Sequence, residues 1–476
     1  MMNIAIHIAR EEWRLLQRNR VALMGLSLLL LLTAVVIFTA WEQRRTTNAE
    51  RVQYQLQMNQ AFETQPDRHP HRMVHYGHFV FRPISPLAAF DPGVDAYTGH
   101  TLFLEGHRQN SANFGDVRQS SLLLRFGQLT PAFVLQVLAP LLLIFIGHGA
   151  VARESESGTL RVLLAQGVRP WQIVTGKLLA LGSVGALALL PVLLALLWIG
   201  TTTPAPASLT IVLAFGYGLW LLIWTLGIVG ISAGFACGRD ALLALLAVWV
   251  VSVVLVPRLA SEVSASTLAL PTRFETDIAV ARDLAAVGDS HNPEDPYFSG
   301  FRKKVLAQYG VSSIEDLPVN YKGLVAIEGE RLTSALFQRS TNANFELQAS
   351  QLRQVDNFAW LSPVIALRRL SMAAAGTDLQ NYRHFVEQAE QHRYRLVQEL
   401  NRLQAEKLSL ATDRSSRDSR ISHTHWHGLA VFHHEDLAPA EALRRAAPAA
   451  GVLLIWMAGL SALLALALHR LGRVIR

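Results

Sequence analysis

Six long apolar stretches divide this chain, and none of them contains a charged residue. A helix rises 1.5 Å per residue, so about 20 apolar residues cross the hydrocarbon core of a bilayer, where each backbone polar group must be satisfied within the segment. The stretches reach or approach that length. They comprise residues 21–40, 129–151, 178–199, 208–237, 241–256 and 446–468. The sequence therefore predicts an all-α polytopic membrane protein with six transmembrane helices.

The composition supports a membrane location and argues against nucleic-acid binding. Hydrophobic residues make up 51% of the chain and charged residues only 17%, a poor balance for keeping 476 residues in solution. The net charge is +7, but the arginines largely flank the apolar stretches, where they anchor and orient helices. The single cysteine, Cys237, allows no disulfide framework and leaves the redox compartment undetermined.

Lysine and arginine residues in the short loops and tails predict how the six helices are oriented. They all fall on one side if every stretch spans the membrane, whereas the short loop of residues 201–207 on the other side has none. Positively charged short loops stay in the cytoplasm. We therefore expect both termini in the cytoplasm. The predicted location is a bacterial inner (cytoplasmic) membrane. The basic residues concerned are Arg10, Arg14, Arg18, Arg20, Arg153, Arg161, Arg169, Lys177, Arg239, Arg470, Arg473 and Arg476.

This topology predicts two long extracytoplasmic segments. The larger one is expected to be mostly helical, because apolar residues from Leu379 to Leu410 recur at three- and four-residue spacing, typical of a packed long helix or a hairpin arm. The predicted division is residues 1–20, a cytoplasmic amphipathic helix; 21–40, a transmembrane helix; 41–128, an extracytoplasmic segment; 129–151, a transmembrane helix; 152–177, a cytoplasmic coupling segment; 178–256, three transmembrane helices; 257–445, an extracytoplasmic helical domain; 446–468, a transmembrane helix; and 469–476, a cytoplasmic tail.

The N-terminal region is predicted to be an uncleaved anchor preceded by an amphipathic helix. The first apolar stretch is followed by Trp41 and charged residues, not by a small-residue cleavage site. Before it, Arg10, Arg14 and Arg18 recur at helical spacing, while apolar residues that include Trp13 line another face, the pattern of a helix in the membrane interface. An ordinary basic flank without defined structure is the alternative.

The predicted cytoplasmic segment between the second and third spans carries an apolar patch. Leu160, Leu163 and Leu164 lie at helical spacing, where neither lipid nor a protein core is guaranteed to cover them. A docked partner would cover them. Glu154 and Glu156 lie in the first turn of the same predicted helix, which is favourable at the positive end of the helix dipole. Simple helix capping is the alternative explanation for these two carboxylates.

In this segment the chain resembles the type-2 permeases of ATP-binding-cassette (ABC) transporters. Their loop after the second span typically has acidic residues, Gly-Thr-Leu, a pair of leucines, a basic residue and then Gly-Lys at the start of the third span. The resemblance implies that the loop forms a coupling helix in a groove of a cytoplasmic ABC ATPase, and that the N-terminal amphipathic helix belongs to the same contact surface. The matching residues here are Glu154, Glu156, Gly158, Thr159, Leu160, Leu163, Leu164, Arg169, Gly176 and Lys177. The resemblance implies that Glu154, Glu156, Gly158, Thr159 and Leu160 face the ATPase.

The chain carries no motif for nucleotide binding. Gly176 and Lys177 are followed by Leu178 and lack the glycine spacing of a phosphate-binding loop. We therefore expect no catalytic residue and no cofactor bound by this chain, with ATP and Mg²⁺ used by a partner ATPase. The two long outer segments look similar to a branch of these permeases that has a large extracytoplasmic domain after the first and fifth spans, and that resemblance implies no particular substrate.

Histidine is concentrated outside the predicted spans, with 14 of the 17 residues in the two outer segments. Imidazole is a suitable ligand for zinc, copper or nickel. In an extended strand, alternating histidines would lie on one face; solvated or packed histidines are the alternative, because no cysteine or close carboxylate framework accompanies them. The predicted metal ligands are His423, His425, His427, His433 and His434. A looser set comprises His69, His71, His75 and His78.

These features together predict a permease subunit of an ABC transporter. Export is the commonest direction in the family it resembles, and the subunit would work with a second copy or a sister permease in the lipid bilayer. Two alternatives remain open. In the first, ATP-driven motion of the helices acts on an extracytoplasmic partner without passing a substrate. In the second, the spans hold a histidine-rich, membrane-anchored metal-handling module.

Overall fold

The computed structural model describes residues 2–107, 109, 129–290, 292, 294–414 and 419–474. Within these residues, six helices are long and apolar enough to cross a membrane, so the predicted all-α polytopic fold is confirmed. Residues 108 and 110–128 of the predicted outer segment, with residues at both chain termini, lie outside the described residues. The six helices are α2 (Arg20–Glu63), α4 (Pro131–Glu156), α6 (Pro170–Thr202), α7 (Ala207–Gly234), α8 (Gly238–Thr267) and α14 (Pro439–Val474).

The other regular elements lie at the two ends of this bundle. The longer ones are α1 (Met2–Arg18), α3 (Pro70–Val74), β1 (His78–Phe81), β2 (Thr101–Leu104), α5 (Thr159–Ala165), α9 (Arg273–Val287), α10 (Pro296–Tyr309), α11 (Tyr321–Asn357), α12 (Pro363–Ala375) and α13 (Leu379–Lys407). Single turns are Pro86–Ala89, Asp95–Thr98, Ile314–Asp316, Phe358–Trp360, Leu410–Asp413 and His423–Trp426. We call residues 41–107 and 268–438 the distal domain.

Helix α2 links the bundle to the distal domain without a break. Its 44 residues extend about 66 Å at 1.5 Å per residue, more than twice the roughly 30 Å hydrocarbon thickness. Its polar half is held by side-chain contacts: Arg44 Nε donates to the Ser85 carbonyl oxygen at 2.8 Å, and Asn48 Oδ1 accepts from Ile84 N at 3.0 Å. The apolar anchor and the first part of the distal domain are therefore one rigid element.

Two of the bundle helices contain a π-helical turn that ends near a proline. In α4 the turn covers Val134–Leu138, and the carbonyl of Leu135 would need an N–H five residues later, at Pro140, which has none. The indole N–H of Trp220 supplies that hydrogen bond instead, at 3.0 Å. The buried carbonyl is thus satisfied by a side chain of α7, as burial requires.

Helix α8 repeats the same arrangement. Its π-helical turn covers Val250–Leu255, and the carbonyl of Ser252 would need an N–H at Pro257. The hydroxyl of Ser362, just before α12, donates to that carbonyl. In α8, a side-chain donor thus replaces the missing backbone N–H and connects α8 to the start of α12. The indole of Trp220 connects α4 to α7 in the same way.

The distal domain has its own core beside α13. This helix, predicted as a packed helix or a hairpin arm, packs along α11 and against α3. Phe385 and Trp426 are fully buried, as is Val80 of the β1–β2 hairpin. The hairpin pairs its strands antiparallel, with Phe79 opposite Phe103, and it lies in the smaller outer segment, outside the one that was predicted to be mostly helical.

Candidate functional site

Of the ten residues that match the permease pattern, all except Arg169 are predicted to couple to an ATPase, and these nine lie at one end of the bundle. We call this end the basal face; it consists of α1, the last turn of α4, α5 and the first turns of α6. Gly158 separates α4 from α5 with a φ of 78°, and no heavy atom lies within 4 Å of the position of an added Cβ. Glycine is therefore required by the left-handed backbone and not by crowding. The nine residues are Glu154, Glu156, Gly158, Thr159, Leu160, Leu163, Leu164, Gly176 and Lys177.

Lys177 is the centre of a charge cluster on this face. Its side chain is only 2% exposed, and Nζ lies 2.6 Å from Oε1 of Glu12. The carboxylate of Glu154 is its second partner, and Arg153 Nη2 lies 4.0 Å from the other oxygen of Glu12. A buried ammonium group is stable only when it is paired in this way. Glu154 therefore points into the protein, whereas the resemblance implied that it faces a partner.

The N-terminal helix packs closely on α6 at Gly176. A Cβ added at Gly176 would lie 2.7 Å from the Ile8 Cβ and 2.8 Å from the Ala5 carbonyl oxygen. One turn and a half further along, Trp13 Nε1 donates to Ser183 Oγ at 2.7 Å. The absence of a side chain at Gly176 thus permits α1 to lie directly against the third candidate span.

Glu156 and Ser232 connect the basal face to α7 and α8. Oε2 of Glu156 accepts a hydrogen bond from Gly238 N at 3.1 Å, which places a carboxylate at the positive N-terminus of α8. The Ser232 hydroxyl accepts from the backbone N–H groups of Val151 at 3.0 Å and Ala152 at 3.1 Å. The last turn of α4 is therefore fixed to the fourth and fifth candidate spans, α7 and α8.

The short helix α5 supplies the accessible part of the basal face. It contains no buried residue; Leu163 and Leu164 are half-buried, Val162 is 55% exposed, and Leu160 packs partly against the bundle core. The predicted residues thus divide into two groups. Glu154, Gly176 and Lys177 hold the face together, while the leucines and Thr159 lie where a partner can reach them.

A large cavity lies at the opposite end of the bundle. Its volume is about 670 Å³, and it is lined by α2, the start of α4, residues 84–100 and α12. Arg368 Nε donates to Gln136 Oε1 at 3.2 Å in its wall. Burial raises the pKa of Asp95 to about 6, against the lowering effect of Arg82, whose Nη2 lies 2.6 Å away. The cavity therefore combines polar and charged groups with an apolar wall.

The five histidines predicted as metal ligands do not converge on one point. Residues His423–Trp426 form a 3₁₀ turn, not an extended strand. His423 Nδ1 lies 2.8 Å from Asp67 Oδ1, His427 Nδ1 lies 3.7 Å from Glu63 Oε2, and His434 Nε2 lies 3.5 Å from Asp436 Oδ1. His433 is exposed and His425 is half-buried. His423, His427 and His434 thus have separate carboxylate partners, and the side chain of His434 is buried, at 5% exposure, whereas those of His423 and His427 are exposed.

The looser histidine set divides differently. His78 is 3% exposed, and burial lowers its pKa to about 4. His69 is paired with Asp413 and accepts from His71 N at 3.0 Å through Nδ1. Only His71 and His75 face each other, with their Nε2 atoms 3.2 Å apart.

Two functional-site residues were not predicted from the sequence. Glu12 is one of two adjacent acidic residues among the arginines of α1, and its position gave no sign that it reaches Lys177. Ser232 lies in an uncharged apolar stretch, where its sequence context indicated no role at this face, yet its hydroxyl accepts two backbone hydrogen bonds. Both contacts join residues far apart in the sequence.

Comparisons with known proteins agree with this arrangement. Residues 6–297 match the family model described as "ABC-2 family transporter protein", a range that includes the basal face and five of the six candidate spans. Residues 273–435 match "Domain of unknown function (DUF3526)", which covers the second part of the distal domain. The comparison with curated proteins gave no match.

Proposed function

The chain belongs to the ABC-2 family of transporter proteins, and we propose that it is a permease subunit that exports a substrate when a separate ATPase docks on its basal face. Membership of the family makes it a membrane subunit of an ABC transporter. Export, the identity of the ATPase and the assembly with a second copy or a sister permease are parts of the proposal. In it, ATP and Mg²⁺ are bound by the ATPase.

The observation that carries the proposal is the division of the basal face into an accessible helix and a fixed support. Helix α5 has no buried residue. Its flanks, the end of α4 and the start of α6, are nevertheless attached to α1, α7 and α8 through Lys177, Gly176, Ser232 and Glu156. A surface helix that only covered the bundle would need no such attachments. Such contacts are what allows a displacement of α5 to move the neighbouring helices.

These attachments support a physical route for coupling. Closure of ATPase subunits around ATP would displace α5, and the ion pairs of Lys177 would carry the displacement to α1 and α6. The hydrogen bond from Gly238 N to Glu156 would carry it to α8. Packed helices move as rigid bodies between discrete arrangements, so binding free energy on one side would shift the population of bundle conformations.

The proposed orientation places the basal face in the cytoplasm of a bacterium and the distal domain outside its inner membrane. The support is the excess of arginine and lysine on the side of the basal face, since positively charged short loops remain in the cytoplasm. The cavity of about 670 Å³ would then open at the outer end of the bundle, where an exported substrate is released. Its mixed polar and apolar wall suits an amphipathic solute.

The test measures whether an ATPase depends on α5. The full chain is purified from membranes in mild detergent, and the amount and turnover of the ATPase that copurifies are measured. Val162→Asp places a charge on the accessible side of α5 and should release or uncouple the ATPase. Val52→Asp is the matched control, because Val52 is a helical valine on the distal half of α2 with 63% exposure, against 55% for Val162.

The control variant should retain the ATPase. Leu163→Asp, placed in the predicted patch, should behave like Val162→Asp. Wild-type association and turnover in both α5 variants would contradict the proposed docking surface. Because Val162 is exposed, its substitution leaves the bundle core intact, and an unchanged elution profile in size-exclusion chromatography checks this.

A mechanotransmission role is the second candidate, and one observation favours it. Helix α2 runs unbroken from the bundle into the distal domain, and α8 and α14 also extend beyond their charge-free stretches. Such rods would pass motion to an outer partner. Ala96→Trp, at a half-buried position in the cavity wall, separates the two functions: complementation of a deletion strain should be lost if a substrate uses the cavity and retained if only motion is transmitted.

A further inference from the structure

Three histidines of the distal domain converge at one place, and two of them, His71 and His75, belong to the looser set identified in the sequence. His71 and His75 are one helical turn apart at α3, and His107 follows β2. One ligand nitrogen from each of the three lies within 4.8 Å of the other two. The ring centroid of His107 lies 5.3 Å from the ring centroid of His71 and 5.0 Å from that of His75. The three side chains thus surround a single point.

The distance between the first two ligands fits a tetrahedral metal ion. Zinc–nitrogen bonds of about 2.0–2.1 Å at a tetrahedral angle place two ligand nitrogens about 3.3–3.4 Å apart. The Nε2 atoms of His71 and His75 are 3.2 Å apart. His107 would complete the set by moving inward by roughly 1–1.5 Å, within reach of a side-chain rotation.

The surroundings hold His107 in position for such a role. Its φ is 62°, a conformation that is uncommon for residues other than glycine and often marks a functional site. Glu330 of α11 fixes it twice: Oε2 accepts from the His107 backbone N–H at 3.3 Å and lies 3.5 Å from Nδ1. A carboxylate on one ring nitrogen orients the other toward a metal, as in carboxylate–histidine–zinc arrangements.

Glu330 is itself fixed. Its side chain is fully buried, and Arg393 Nη1 lies 2.7 Å from its second carboxylate oxygen, Oε1. Any ion bound by the three histidines would therefore be connected to the rigid α11–α13 pair. It would also join two parts of the chain, α3 and the segment after β2, that are 36 residues apart at His71 and His107.

An open cavity of about 510 Å³ adjoins the histidines, with His71 and His107 in its wall. Phe298, Tyr321 and Lys322 line other parts of it. Three protein ligands beside an accessible space leave a coordination position for water or an exchangeable ligand. His75 is exposed, so a metal ion can reach the site from solvent.

From this geometry we propose that His71, His75 and His107 bind one transition-metal ion, with Zn²⁺ as the best fit and Glu330 as the positioning residue for His107. Neutral imidazoles favour Zn²⁺, Cu²⁺ or Ni²⁺ over Mg²⁺ and Ca²⁺, which prefer oxygen ligands. The ion would fasten α3 to α11 in the distal domain. This inference does not depend on the transport function proposed above.

The test is zinc binding to the full chain. The protein is purified in detergent with a tag that contains no histidine, treated with a chelator and titrated with ZnCl₂ by calorimetry. One Zn²⁺ should bind per chain and raise the midpoint of thermal unfolding, because a ligand that binds the folded state stabilises it. Co²⁺ in its place should give the visible absorption of a tetrahedral site, and MgCl₂ should have no effect.

His75→Gln is the decisive variant, because an exposed side chain can be replaced without disturbing the core. Loss of a residue that only hydrogen-bonds a metal ligand weakens metal binding by about 10–100-fold. The loss of His75, a ligand itself, should weaken zinc binding by more than that. His427→Gln is the matched control, since His427 is also exposed and has a carboxylate neighbour, Glu63; its zinc affinity should equal that of the wild type. Absence of stoichiometric zinc in the wild type, or undiminished binding by His75→Gln, would overturn the proposal and leave an ordinary hydrogen bond between His71 and His75.

Discussion

Lys177 Nζ lies 2.6 Å from Glu12 Oε1, and this ion pair joins the N-terminal helix to the third candidate span across 165 residues of sequence. The lysine side chain is 2% exposed, and Glu154 is its second partner. Because a buried charge is costly without a partner, the three residues restrict α1, α4 and α6 to one relative arrangement. Displacement of one helix must therefore move the others or break the cluster.

Lys177→Met should destabilise the protein by leaving two carboxylates without their cation. Removal of one member of a buried ion pair costs about 3–5 kcal/mol, and we expect the lower end, about 3 kcal/mol, because Glu12 and Glu154 are 18% and 22% exposed. The midpoint of thermal unfolding in detergent, followed by tryptophan fluorescence, measures the loss. Lys322→Met is the control, since Lys322 is 51% exposed in its contact with Asp413. Similar midpoints for both variants would contradict a buried cluster.

Gly176→Ala should loosen α1 from the bundle. The added methyl group would meet the Ile8 side chain and the Ala5 backbone at under 3 Å, and overpacking of this kind costs about 1–3 kcal/mol. A cysteine placed at Leu16, which is 8% exposed on α1, in a Cys237→Ser background should then react about tenfold faster with a water-soluble maleimide, as a shift of about 1.4 kcal/mol in the docking equilibrium predicts.

Gly182→Ala on the same helix is the control for this experiment. At that position the nearest heavy atom to an added Cβ is Thr225 Cγ2 at 3.9 Å, an ordinary contact distance. The labelling rate of the cysteine at position 16 should therefore equal the rate in the protein that retains both Gly176 and Gly182. Equal rates in the two alanine variants would show that the close approach at Gly176 does not hold α1.

The sequence predicted the six spans because their signal is local. A run of about 20 consecutive apolar residues indicates a membrane span from its own length and composition, without information from the rest of the chain. The full length of α2 was not predicted, because residues 41–63 are polar and their helical structure depends on contacts such as that of Arg44 with the carbonyl of Ser85. The β1–β2 hairpin was also missed: its strands have only four residues each, too few to give a clear alternating pattern.

The candidate sites were predicted less well, because side-chain direction depends on distant partners. The resemblance placed Glu154 on a docking surface, but Lys177 lies 23 residues later and draws it inward. The histidine set of residues 423–434 was the denser one in sequence, yet the group that converges uses His107, which no spacing rule connects to His71 and His75. Proximity in the sequence therefore does not predict which side chains form a site when their positions are set by tertiary contacts.

Acidification should destabilise the distal domain through two buried histidines. Burial lowers the pKa of His392 to about 4, helped by the charge of Arg395, and lowers the pKa of His78 to about 4, with His392 adding to the effect. Since both values lie below the unfolded value near 6.5, the unfolded state binds more protons between pH 6.5 and 4. Stability is then present above pH 6.5 and falls as the pH drops, by about 2–3 kcal/mol for each histidine.

The measurement is the midpoint of thermal unfolding from pH 7.5 to 4.5 with a chelator present. Burial raises the pKa of Asp95 to about 6, so protonation of Asp95 stabilises the folded protein on acidification and opposes the effect of the histidines. The difference in pH dependence between variants is therefore more informative than the pH dependence of the wild type alone. His392→Gln should flatten the pH dependence, while His433→Gln, at an exposed position, should leave it as in the wild type. A slope that is the same in all three proteins would rule out titration of His392.

Arg393→Met should be the most damaging single change in the distal domain. The guanidinium is 1% exposed and contacts Glu330 at 2.7 Å and Glu390 at 2.8 Å, so its removal leaves two buried carboxylates without a cation, at about 3–5 kcal/mol. Addition of Glu330→Gln and Glu390→Gln should recover most of that loss, because the charges themselves are then gone. Denaturant unfolding of the three proteins gives the comparison.

Arg402→Met on the same helix provides the contrast. Arg402 and Glu399 form an ion pair at 2.7 Å with side chains 58% and 32% exposed, and a pair of this kind contributes about 0.3–0.5 kcal/mol. The two arginines differ mainly in burial, so the large difference expected between their variants measures the cost of an unpaired buried charge. If Arg393→Met were as mild as Arg402→Met, water would have to reach Glu330, and the rigid support that we assign to His107 would be lost with it.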